Sequence, residues 1–212
     1  MDLIELDQKM WGVCGFVAAI QAAVANTKGA QLEQDNYHTI YPIVNNFLMS
    51  HGDLESELMK FTKYLFYLPE KRPINKNSEP NPYIEDYEKN STFGQLLKSM
   101  KNDKSMEQNL GVALSAAALK LLLEDLGFKD PNWFGTTAQT SDLKFSYHNA
   151  IYGVGGTEIM KTYSHPNFNF GLCHWIYVSQ DGTAMTFGEK YPEEKLRSIG
   201  LSKMTHIFPN LT

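Results

Sequence analysis

The run "CGFVAAIQAAVAN", Cys14 to Asn26, constrains the fold more than any other stretch of the chain. It is rich in alanine and free of proline, so a helix is its natural state. Val13, Val17, Ile20 and Val24 form one apolar stripe, which Phe16 and Ala23 widen. A helix apolar on nearly every side must be buried on most of them. Lys28-Gly29 reads as its C-terminal signal. At 212 residues, 42% apolar and 20% charged, one soluble domain fits the whole of 1–212. A chain of that length buries roughly 70% of its unfolded surface.

Further helical periodicity runs from Tyr37 to Met49, with Ile40, Ile43, Val44 and Phe47 as its core face. Another runs from Asp53 to Leu68, with Asp53 as N-cap, and a third from about Leu110 to Leu126, stopped by Gly127. Between them Pro69 to Ser91 holds four of the nine prolines and reads as a surface insertion. Lys129 to Thr157 is loop-rich, with room for two or three short strands. "YGVGG" is its expected flexible point, a hinge or turn rather than a phosphate cradle. Glu158 to Tyr163 could add one helical turn.

The strongest β signal is "CHWIYVSQDGTAMTFGEKY". His174, Ile176 and Val178 alternate with Trp175 and Tyr177, and Asp181-Gly182 supplies a two-residue hairpin turn. Helices first and antiparallel strands late make the class α+β, with a helical half of about 1–128 and a β-rich half of about 129–212.

Composition removes several function classes. The net charge is −5 and the 19 Lys and Arg are scattered, so no nucleic-acid partner is expected. Two cysteines cannot build a disulfide framework. Asp2 and Glu5 stand where a signal peptide would be basic, so synthesis in the cytoplasm is expected. Val112 to Leu123 is interrupted by Ser115 and Lys120 and is too short for a membrane span. No metal or other cofactor is expected: Cys173 and His174 alternate in direction, so they cannot easily join Cys14 on one zinc ion.

One constellation carries chemistry. Cys14 opens the buried helix, where backbone N–H groups and the helix dipole favour a thiolate. Gln8 lies six residues upstream; if the intervening segment turns compactly, its amide and the Cys14 N–H could form an oxyanion hole. His174, at the start of a strand, could take the thiol proton. With a two-residue turn at Asp181-Gly182, Glu189 faces His174 and could fix its tautomer; a four-residue loop would put Phe187 there instead. The bland alternatives are a buried structural thiol, a core histidine and a solvated acid.

"QKMWGVCGFVAA" resembles the nucleophile segment of papain-like cysteine proteases, and "GLCHWIYVSQDG" resembles the histidine strand of the same clan, above all its C39-like and bacterial effector branches. The resemblance covers Gln8 to Asn26 and Gly171 to Lys190, under a fifth of the chain. It implies a papain-like fold in which Cys14 is nucleophile, His174 base and acid, Gln8 an oxyanion donor and Glu189 the orienting group. Glu189 departs from the usual Asn or Asp. The implied activity is hydrolysis or acyl transfer at amide bonds of a polypeptide substrate. The effector likeness adds a toxin role, a cognate inhibitor or immunity protein as partner, and delivery to another cell without a signal peptide. Alternatives are an NlpC/P60-like peptidoglycan amidase and a non-catalytic binding or immunity protein with a papain-like core.

Overall fold

A computed structural model describes residues 1–7, 13–51, 114–136, 138–155 and 174–212. The helical segment expected at 53–68, the insertion at 69–91 and the turn at 158–163 lie outside the described residues. The described part is α+β: helices pack on one face of a six-stranded antiparallel sheet.

Helix α1 spans Cys14–Ala25, and every residue from Gly15 to Ala23 is buried. Gln21 is included, and its Nε2 donates to the carbonyls of Leu3 and Leu6. The one polar residue in that buried run thus ties the N-terminal segment down. The chain leaves α1 through Thr27, in the left-handed region at φ 53°, and the Lys28 N–H returns to the Ala23 carbonyl. The C-terminal motif therefore centres on Thr27, two residues before the expected Gly29.

Helix α2 spans Asn36–His51. Asp35 caps it by accepting the His38 N–H at 2.8 Å. Helix α3 is Ala116–Asp125, shorter than the expected run from Leu110, because Ser115 is extended and its hydroxyl accepts the Ala118 N–H. A residue that spends its side chain capping the first turn starts a helix rather than continuing one. Gly127, at φ 91°, ends α3 as expected.

The strands are β1 (Phe134–Gly135), β2 (Ala150–Gly155), β3 (His174–Val178), β4 (Ala184–Thr186), β5 (Glu189–Tyr191) and β6 (Lys203–Phe208), in the spatial order β1-β6-β2-β3-β4-β5. Strands β2 and β3 are buried along their whole length, because both faces of the sheet are covered. Ile151, Trp175, Tyr177, Met185 and Phe208 face the helices. Tyr152, Val154, Ile176, Val178 and Ala184 face a second core with Phe145 and Leu196. "YGVGG" is thus no hinge up to Gly155: Gly153 sits mid-strand, where Trp175 crosses it. A Cβ on Gly153 would lie 3.0 Å from the Trp175 ring and 3.0 Å from Thr205 Oγ1.

Trp175 also fixes α1. Its indole N–H donates to the Leu114 carbonyl at 2.9 Å. A Cβ on Gly15 would lie 3.3 Å from its ring. The far end of α1 is tied by Asn149, which exchanges two amide hydrogen bonds with Asn26 and accepts from the Tyr177 hydroxyl. Helix α1 therefore runs parallel to β3, its first turn against the start of that strand.

Gly-to-Ala changes inside strands usually stabilise, by roughly 0.5–1 kcal/mol. Gly153→Ala is expected to do the opposite, since the indole is already wedged against Gly15 and Leu114 and cannot retreat. Overpacking of this kind costs roughly 1–3 kcal/mol, and urea unfolding should show a lowered midpoint.

Candidate functional site

Several elements converge on the end of the sheet where β3 begins. His174 is the first residue of β3. The turn joining β4 to β5 is Phe187-Gly188, set by the pairing of Thr186 with Glu189. Both turn residues have positive φ, 50° and 70°, which is the two-residue type I′ geometry. Asp7 packs against this turn, its Cβ 3.4 Å from where a Gly188 Cβ would be. From Asp7 the chain travels to Cys14, the first residue of α1.

Cys14 is half-buried beside the helical core. Val13 precedes it as N-cap and has no side-chain acceptor for the first-turn amides. The next residue, Gly15, lets the helix end approach the Trp175 ring. Cys14 and His174 thus flank a direct contact between their chain neighbours. Gln8, the expected oxyanion donor, lies outside the described residues, as does Cys173.

The imidazole does not follow the helix. Adjacent strand residues face opposite ways, and Trp175 and Tyr177 take the helical face. His174 falls with Ile176 and Val178 on the other, directly across from Val154 of the second core. There its Nε2 pairs with Thr186 Oγ1 at 2.5 Å, and its ring stacks on Phe187 with centroids 4.5 Å apart and planes within 5°. Helix α1 and β3 bring sulfur and imidazole to the same end of the sheet, while strand alternation turns the imidazole to the far face.

Glu189 is not the residue opposite His174, a correction to the two-residue hairpin. The turn between β3 and β4 has three residues, Gln180-Asp181-Gly182: Ser179 N–H bonds the Thr183 carbonyl, and Gly182 takes φ 80°. Asp181 closes the turn by accepting from the Ser179 hydroxyl and from the Thr183 N–H and hydroxyl, contacts that hold its carboxyl well below the usual range. Tyr177 therefore faces Met185. The second turn at Phe187-Gly188 then carries Glu189 onto β5, where its carboxylate accepts from the Tyr191 hydroxyl at 2.8 Å. Among the described residues Thr186 and Phe187 touch the imidazole; the sequence placed Phe187 there only for a four-residue loop and did not single out Thr186. The "TFGE" stretch held a signal for them: Phe-Gly can be a hairpin turn, though Asn-Gly is the commoner form.

Burial pushes His174 down to about 4, so the ring is neutral at pH 7 with no cation to offer a thiolate. A thiol at its ordinary value near 8.5 would transfer its proton to such a base at a cost of roughly 6 kcal/mol. The described residues offer no cluster of three His, Cys, Asp or Glu able to hold a metal ion, and none of their helices is long and apolar enough to cross a membrane. A cleft of about 590 Å³ opens at the other end of β3, between Lys144, His148, Asp181, Glu193 and Arg197, remote from the sulfur. No family model matches the chain, and no curated protein or solved structure matches it.

The depressed His174 value has a consequence for stability. The unfolded chain binds this proton near pH 6.5 and the folded one only near 4, so between those values the unfolded state holds more protons. Stability from this group is complete above pH 6.5 and is lost as pH falls toward 4, by roughly 3 kcal/mol at most. Urea unfolding at pH 7 and pH 4.5 is expected to show a steeper loss for the native chain than for His174→Gln.

Proposed function

We propose that the protein is a papain-like, thiol-dependent hydrolase or acyltransferase acting on amide bonds of a protein substrate, with Cys14 as nucleophile and His174 as proton carrier. The supporting observation is the seating of the first turn of α1 against the start of β3, recorded in the contact of Gly15 with Trp175. That packing sets a cysteine at a helix N-terminus and a histidine at a strand start at the same end of the described sheet. In the reaction, thiolate attack on the carbonyl forms a tetrahedral oxyanion, which the Cys14 N–H and Gln8 would hold. Protonated His174 gives its proton to the leaving amine, and water or another acceptor resolves the thioester. For this the imidazole leaves Thr186 and turns round the sheet end, where the thiolate's charge would raise its affinity for a proton. The likeness to effector branches suggests a toxin acting in another cell, with Glu189 orienting only if the β4–β5 turn reorganises.

A second reading is a binding or immunity protein that keeps the core without the chemistry. It is favoured by the resting position of His174, buried on the far face with Nε2 engaged by Thr186.

Alkylation with an iodoacetamide probe at pH 7, followed by peptide mapping, separates the two. Hydrolase chemistry is expected to give Cys14 modification at least about tenfold faster than Cys173, slowed several-fold in His174→Gln. Equal rates at the two thiols would remove the nucleophile. Toxicity on expression in a foreign cytoplasm is expected to vanish in Cys14→Ala; its persistence would favour the binding protein.

A further inference from the structure

Phe187 is a bulky side chain where the backbone does not welcome one. In a type I′ turn both central residues need positive φ, which favours Asn, Asp and Gly, and an aromatic residue there is an outlier. Phe187 nevertheless holds φ 50° and leaves 41% of its surface exposed. Strain of this sort persists where surroundings impose it, and it gathers at functional sites. What the strained turn achieves is local: it lays the Phe187 ring flat over the His174 imidazole at 4.5 Å, and His174 is only 7% exposed.

We infer that Phe187 is a cover over His174, closed in the resting protein and displaced when a substrate segment enters the sheet end, so that the imidazole gains water and freedom to turn toward Cys14. The inference rests on the reading of His174 as a proton carrier. The arrangement suits a ring that can leave: its exposed side is in contact with solvent, and opening the turn releases backbone strain. Thr186 holds the imidazole by its Nε2 edge while the cover is closed. Among the described residues, the other titratable or charged groups at this end of the sheet are Asp7 beside Gly188, Glu189 turned to Tyr191, and Cys14 opening α1. Burial is the cause of the depressed proton affinity of His174.

The test uses the full chain and two substitutions. Phe187→Asn makes the turn Asn-Gly, the preferred type I′ pair, so the hairpin is retained while the cover is removed. Phe187→Tyr keeps a ring in place. NMR titration of the His174 ring is expected to move upward by at least one pH unit in Phe187→Asn, and diethylpyrocarbonate is expected to modify His174 about tenfold faster at pH 7. Phe187→Tyr should match the native chain in both. A folded Phe187→Asn, with native circular dichroism, whose His174 titrates and reacts as before would overturn the cover. If Phe187→Asn does not fold, His174 reactivity in Phe187→Leu decides by the same readings. Cys14 alkylation is followed in parallel: an uncovered His174 beside an inert Cys14 would sink the hydrolase reading while leaving the cover standing.

Discussion

The Trp175 indole holds this architecture together. Its ring is 3% exposed, pressed between the backbone of α1 at Gly15 and that of β2 at Gly153, while its N–H is spent on the Leu114 carbonyl ahead of α3. Two glycines are required because two backbones approach one large ring from different sides, and any side chain would fill the gap. A buried indole with its N–H satisfied contributes both area and direction. It fixes how far the helix end stands from the sheet, and so where Cys14 opens. The opposite end of α1 is set by the amide pair of Asn26 and Asn149, also bonded to Tyr177. Helix α1 is thus pinned along β3 at both ends.

That pinning creates the site's tension. The residue that locks helix to strand and the residue that would share a proton with the helix are adjacent on β3, and a strand turns adjacent residues to opposite faces. Trp175 on the helical face commits His174 to the far one. There the second core strips it of water and lowers its affinity for protons, and Thr186 and Phe187 enclose it. A hydrolase built on this frame needs a conformational step before chemistry, whereas a binding protein would simply keep the histidine as a packed core residue.

Much of the fold was legible in advance. The breadth of the apolar surface on Cys14–Ala25 required burial, and α1 is buried along its middle. Gly127 ended α3 where a left-handed exit was needed. The alternation from His174 to Val178 gave β3 its length, yet both its sets are buried, since the far face is covered by a second core. The failures share a cause. The Asp181-Gly182 pair reads as a two-residue turn until the Asp181 carboxylate is seen collecting Ser179 and Thr183, which lengthens it by one residue. Gly153 reads as flexibility until the ring that needs its space is in view. Ser115 reads as helix interior until its hydroxyl is found capping the amide three residues on.

By itself the sequence determined the elements: a helix too apolar to be exposed, a cysteine at its first residue, a histidine leading a buried strand, and an α+β order. Those are properties of neighbours along the chain, and local periodicity records them. Only the tertiary structure decided which side of the sheet each group occupies, that Thr186 and Phe187 rather than Glu189 touch the imidazole, and that the ring rests neutral. Registers and faces depend on turn closure and on contacts between residues far apart in sequence, where one residue's difference in a loop redirects every side chain that follows.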